Sequence, residues 1–433
     1  MKISNSQLAF IAIIASLGGF IFGFDMAVVS GVLPLVKMQF HLDTFMEGWF
    51  VSSALLGCII GVLISGSLSD QYGRKRTMQT AAAIFVLATF ACIFLESFSL
   101  IIWTRILTGI GIGIASNVVP LYLSEIAPIK DRGKLVTFYQ LALTFGIVLA
   151  YTSNALIIKY QDELGQIVSH SLFQYVFVEE EWRAMIGMSV IPSLAFFIGL
   201  LIVPESPSWS KDQSKSDQSG YSELLKPIYR KAMVIGLFLP IFSQFCGINV
   251  IIYYGPTILK TLGFSLDNSL YGQIIIGVAN MLFTLIAIWK VDSWGRRPLY
   301  LVGTIGGAAS LFLTSLLFYF GMAESWLLVI SVVCFLAFFA FSIGPLKFVV
   351  ASEIFPSNIR AKAMGVSILA MWVSDFLMGQ ITPFLLDDVG VSGTFLFLGL
   401  VCLLGFVFVI RKLPETKGKS PDVIHELLNM DKR

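Results

Sequence analysis

The chain has 433 residues, of which 56% are hydrophobic and only 13% charged, with a net charge of +2. An average soluble domain carries roughly 25% charged residues, so this composition, with a mean hydropathy of +0.84, excludes a soluble multidomain protein and places the chain in the membrane class. With a net charge of only +2 the field of the whole protein says little about partners, and the distribution of charge says more; no nucleic-acid partner is expected.

Lys2 precedes a long apolar run from Leu8 to Val36. It is too long for the apolar core of a cleaved signal peptide and is read as a first span. A bilayer-crossing helix needs about 20 mainly apolar residues. Twelve such runs follow in order, at about 8–36, 47–68, 77–95, 98–122, 135–158 and 182–203, then 231–258, 270–289, 298–320, 325–351, 361–385 and 391–411. Lipid offers no partner to open backbone groups, so spans are helices or closed barrels. These runs lack the alternation of barrel strands. An all-α integral membrane protein of twelve transmembrane helices is expected.

Lys and Arg set the orientation. They crowd into the segments on one side of the predicted bilayer, such as Arg74, Lys75 and Arg76, Lys130, Arg132 and Lys134, and Arg296 and Arg297. The other side keeps Lys37, Lys159, Arg183 and Lys260. Both termini are therefore expected in the cytoplasm, and the protein in a plasma or inner membrane. The stretch 204–230 contains Ser-Lys-Asp-Gln-Ser-Lys-Ser-Asp-Gln-Ser-Gly at 210–220, the composition of a flexible linker. It divides the chain into an N-terminal six-helix half at 1–203, the linker, a C-terminal six-helix half at 231–411 and a cytoplasmic tail at 412–433.

Three motifs occur twice, in the same order. Asp70-Gln-Tyr-Gly-Arg74-Lys75 returns as Asp292-Ser-Trp-Gly-Arg296-Arg297. Ser124-Glu125-Ile-Ala-Pro128 with Arg132 returns as Ser352-Glu353-Ile-Phe-Pro356 with Arg360, and Pro204-Glu205-Ser206 as Pro414-Glu415-Thr416. Repeated six-helix halves are a transporter arrangement. Carboxylates and guanidiniums near one membrane face can pair with bidentate geometry. Asp70, Arg74, Glu125, Arg132, Glu205, Arg296, Glu353 and Arg360 are read as a cytoplasmic gate that pairs across the halves, closed in one state and broken in the other.

Asp25 and Arg105 fall inside the first and fourth runs. An ionisable residue in a span is a functional candidate. The five cysteines, Cys58, Cys92, Cys246, Cys334 and Cys402, all lie in apolar runs and read as small packing residues. Gly109, Gly111 and Gly113 lie within a span and read as a close helix contact rather than a phosphate loop. No phosphate loop, nucleophile motif or metal-ligand spacing occurs, so no cofactor, no metal and no enzyme activity are expected.

In their order, these motifs resemble the sugar porter family of the major facilitator superfamily, including its proton-coupled xylose and glucose symporters and its facilitative glucose transporters. The most family-specific match is Gln244-Phe-Cys-Gly247-Ile-Asn249 followed by Tyr253-Tyr254. The resemblance implies the major facilitator fold and secondary transport of a small neutral sugar or polyol, with protons as the coupling ion and a monomer in the lipid bilayer. It implies proton coupling at Asp25 and Arg105, and substrate contacts at Gln140, Gln244, Asn249, Tyr253, Asn280, Phe348 and Trp372. Uncoupled facilitation is the alternative, and a transport-inactive sugar sensor on the same fold a second one. The sequence departs from the family at Ser243 and Met371, where amides are usual, at Phe348, where a Trp is usual, and at Lys347 and Asp375, where neutral residues are usual.

Overall fold

A computed structural model describes residues 5–128, 132–167, 171–207, 209, 221–260, 265–322, 326–356, 359–419, 423–424 and 428. The linker residues 210–220 lie outside the described residues, as do the side chains of Arg132 and Asp292. Among the described residues all regular structure is helical.

Spans one to five are Asn5–Phe40, Thr44–Tyr72, Arg74–Phe94, Phe98–Ile126 and Arg132–Ile167. Span six is Glu181–Gly187 with Val190–Ile202, and span seven Arg230–Phe245 with Ile248–Lys260. Span eight is Leu266–Trp294 and span nine Arg296–Tyr319. Span ten joins Trp326–Phe338 to Gly344–Ile354 through a π-turn at Phe339–Ile343. Spans eleven and twelve, Arg360–Phe384 and Gly390–Lys412, fall in one apolar stretch of 51 residues. Among the described residues it is the last of 11 stretches long and apolar enough to cross a membrane, and it holds two of the twelve expected spans. Several helices outrun their apolar runs, because a helix continues past the hydrocarbon wherever its backbone bonds can close.

Packing divides the chain into two compact units. One comprises Met1–Ser216 with Ile252–Met281, the other Asp217–Ile251 with Leu282–Arg433.

In the first unit, spans two and four cross at glycines four residues apart on each helix. A Cβ on Gly57 would lie 2.9 Å from Gly109 Cα, and one on Gly61 would lie 3.0 Å from Gly113 Cα. A Cβ on Gly109 would also run into the carbonyl oxygen of Ala54. With no side chain between them the two backbones touch, and dispersion replaces a hydrophobic drive that lipid cannot supply. Span two starts on Asp43, whose Oδ1 accepts from Met46 N at 2.7 Å, an N-cap. In span six, Arg183 is 0% exposed and donates through Nη1 to the carbonyls of Ile93 at 2.9 Å and Leu95 at 2.6 Å. These are the open carbonyls at the end of span three.

In the second unit, span seven breaks at Gly247, which has φ +109°. That left-handed region is accessible to glycine without steric cost. The break ends one helix at Phe245 and begins the next at Ile248, bringing the polar side chains on either side of it together.

Candidate functional site

The duplicated motifs build the same clasp once in each unit. In the first, the chain turns at Gly73, with φ +94°, and starts span three at Arg74. Arg74 Nε lies 3.2 Å from Glu125 Oε2, and Nη2 lies 3.1 Å from Oε1. Its Nη1 donates to Asp70 Oδ1 and to Ser69 O, both at 3.0 Å. Glu205 caps the helix start, accepting from Lys75 N at 3.0 Å and Ser206 N at 2.9 Å. Ser206 Oγ donates to the same Glu125 that Arg74 holds.

The second unit repeats this with one hydroxyl exchanged for another. Gly295 turns at φ +92°. Arg296 Nε lies 3.1 Å and Nη2 2.9 Å from Glu353 Oε1. Glu415 accepts from the backbone N–H groups of Arg296 at 3.0 Å, Arg297 at 3.1 Å and Lys417 at 2.8 Å. Thr416 Oγ1 donates to Glu353 Oε2 at 2.6 Å. Burial pushes the Glu415 carboxyl up, but the backbone donors of Lys417, Arg296, Arg297 and Thr416 outweigh it and hold it below the usual carboxylate range. A carboxylate at a helix N-terminus also meets the positive end of the helix dipole.

The sequence pattern predicts that these charges meet across the halves. The described bonds instead join Arg74 to Glu125 and Arg296 to Glu353 within each unit. The glycine turn places each Arg beside the end of the following span, where the Glu sits. Arg360 Nε donates to Phe355 O at 3.1 Å, also within its own unit. The hydroxyls of Ser206 and Thr416 were legible as repeated positions but not as ligands of Glu125 and Glu353.

Asp25 and Arg105 are both buried, each at 4% exposure. Arg105 Nε donates to Phe50 O at 3.0 Å, and the guanidinium lies 4.8 Å from the Phe50 ring centre. Its charge acts on Asp25 through space, but no ion pair or hydrogen bond joins them among the described residues. Asp25 is a buried carboxyl without a described hydrogen bond.

The expected substrate positions fall in both units. Gln140, Tyr253 and Asn280 belong to the first. Gln140 is half-buried with no described hydrogen bond. Tyr253 Oη donates to Met26 Sδ at 3.6 Å. Gln244, Asn249, Phe348 and Trp372 belong to the second. Here the structure gathers Gln244 and Asn249 across the break in span seven: Asn249 Nδ2 donates to Gln244 Oε1 at 2.9 Å and to Asp375 Oδ1 at 2.6 Å. Trp372 is 1% exposed, on the same helix as Asp375. The link from Asn249 to Asp375 spans 126 residues of sequence, and no local spacing could reveal it.

Buried amides, charges within spans, paired six-helix repeats and a glycine-broken helix are the parts of a secondary transporter rather than of an enzyme. Similarity to known proteins agrees. The chain matches the family described as sugar (and other) transporter over residues 11–224 and 210–428, and it belongs to that family. It is 34% identical over 444 residues to an arabinose-proton symporter of Bacillus subtilis (strain 168), covering 95% of this chain and 93% of the relative. It is 32% identical over 486 residues to a D-xylose-proton symporter of Escherichia coli (strain K12), covering 98% and 96%. Among solved structures, a D-xylose-proton symporter superposes with a TM-score of 0.82 at 33% identity, covering 95% of this chain and 99% of that one.

Proposed function

We propose that the protein is a secondary active transporter that carries a monosaccharide or related polyol together with protons by alternating access. Asp25 carries this reading: a buried carboxyl with no described hydrogen bond and an arginine within electrostatic reach, in a chain that matches proton symporters over nearly its full length. Such a group can exchange its proton as its surroundings change, and Asp25 with Arg105 is the coupling pair. Gln140, Gln244, Asn249, Tyr253, Asn280, Phe348 and Trp372 contact the substrate. Asp70, Arg74, Glu125, Arg132, Glu205, Arg296, Glu353 and Arg360 gate the cytoplasmic side. Both termini are cytoplasmic, the functional halves are 1–203 and 231–411 joined by 204–230, and the protein works as a monomer in the cell membrane.

The test is uptake of radiolabelled L-arabinose, D-xylose, D-glucose and myo-inositol into proteoliposomes with and without an imposed pH gradient, acid outside. Accumulation above equilibrium only with the gradient is expected. Uptake that merely equilibrates under both conditions would establish facilitation instead.

A further inference from the structure

The second unit buries two opposite charges beside its amides. Lys347 is 8% exposed and Asp375 2%. Lys347 Nζ donates to Ser243 Oγ at 3.1 Å and lies 5.2 Å from the Phe348 ring centre. Ser243 Oγ gives its own proton to Pro240 O at 2.7 Å, so it meets the ammonium with a lone pair. An ammonium has three N–H groups. One goes to Ser243, and the described residues give Lys347 no second hydrogen bond and no ion pair. Asp375 acts on it through space while binding Asn249 directly.

That bond orients the neighbouring amides. An ionised carboxylate only accepts, so Asn249 must turn its nitrogen to Asp375. Its second proton goes to Gln244 Oε1 at 2.9 Å. Asn249 is left with a free oxygen lone pair, and Gln244 with its NH₂ donors. Lys347 adds two unspent charged donors. A buried charge without full pairing is costly, and a ligand's hydroxyls can supply the missing partners because a hydroxyl both accepts and donates. A carboxylate on the ligand would be drawn to Lys347 and repelled by Asp375, and an ammonium the reverse. Rejection of this kind is built from the unfavourable contact as much as from the favourable one.

We infer that Lys347 and Asp375 are a specificity-determining pair that holds a neutral polyhydroxyl substrate, with Lys347 donating a charge-assisted hydrogen bond to a hydroxyl, and that rejects sugars carrying either charge. The inference rests on the sugar-transport reading above and deepens it.

The experiment is counterflow exchange in proteoliposomes of the full chain. The probe is whichever of radiolabelled D-xylose, D-glucose or myo-inositol the wild type exchanges fastest. The competitors are D-glucose, D-glucuronate and D-glucosamine, at mildly acid pH where the amino sugar is protonated. For the wild type, D-glucose should compete about tenfold better than either charged analogue. Asp375→Asn should improve D-glucuronate relative to D-glucose by about tenfold, and Lys347→Met should do the same for D-glucosamine. The double variant should bind all three weakly, with the neutral sugar first. Loss of packing alone would lower every affinity without reordering them. If Lys347→Met does not yield folded protein, Asp375→Asn decides by the ratio of D-glucuronate to D-glucose. A wild type that prefers D-glucuronate, or single variants that both keep the wild-type preference ratios, would overturn the inference. A wild type that exchanges none of the neutral sugars would overturn the transport reading itself.

Discussion

Thr416 Oγ1 donates to Glu353 Oε2 at 2.6 Å, on a carboxylate that Arg296 already holds from another side. Thr416→Val removes this bond while keeping the side chain's shape, and should cost about 1 kcal/mol; Glu353→Gln weakens both bonds and should cost about 1–3 kcal/mol. Thr416→Ser should restore wild-type stability. The measurement is the thermal unfolding midpoint in detergent micelles, and equal midpoints for Val and Ser would show that the bond contributes nothing. If the clasp also gates, Glu353→Gln should change how readily a cysteine placed at the cytoplasmic ends of the spans is labelled.

Glu415 ties acid sensitivity to the same clasp. Its carboxyl is held below the usual range in the folded protein. A depressed carboxylate contributes stability that is present above its unfolded pKa and lost as pH falls through the folded value. Glu415→Gln should therefore be less stable than wild type at neutral pH, and the gap should close below the ordinary carboxylate range. A gap that stays constant across the titration would exclude this role.

Asp25→Asn keeps the size of the side chain and removes its titration. Accumulation driven by a pH gradient should disappear while counterflow exchange continues. Wild-type accumulation by this variant would rule Asp25 out as the proton carrier.

Gln244→Ala and Asn249→Ala should each weaken sugar binding by about 1–3 kcal/mol, because a polar partner is left unmet in a buried site. Titration calorimetry with D-xylose, D-glucose and myo-inositol reads this directly. Wild-type affinity in both variants would move the substrate elsewhere.

The crossing of spans two and four predicts a contrast between glycines. Gly109→Ala should sharply reduce the yield of monodisperse protein, because the new methyl meets the Ala54 carbonyl and the Gly57 backbone. Gly365 lies within span eleven, and a methyl group there would have no neighbouring atom within 4 Å. Gly365→Ala should be neutral or stabilise by about 0.5–1 kcal/mol. Size-exclusion profiles and unfolding midpoints of the two variants decide it.

What the sequence made legible follows from which physical signals are local. Continuous apolar runs marked the spans, because a bilayer imposes length and polarity on every crossing segment. Recurrence of short motifs marked the residues that build the clasps, Glu205 and Glu415 among them, but not their pairing within each unit. Their partners were harder to find. Nothing within the motif around Arg74 says that Glu125 of its own unit, 51 residues away, is the carboxylate it meets. The cluster of Gln244, Asn249 and Asp375 needed folding for the same reason. In the sequence Arg183 reads simply as one of the few outer charges, whereas it is wholly buried at the end of span three; a single cation near an aromatic does not announce the helix it closes.

The capping of span three by Glu205 also bears on how this chain can be engineered. Tyr122 Oη donates to Pro204 O at 2.8 Å and Trp209 Nε1 to Asp70 O at 2.8 Å, so the chain is moored on both sides of Glu205 before the polar stretch begins. Lengthening a connection beyond a fixed mooring costs little, since closure entropy grows only slowly with length. A fluorescent or affinity domain inserted between Ser214 and Lys215 would then ride on the transporter without loosening span three, giving a permissive site for reporters in the middle of the polypeptide.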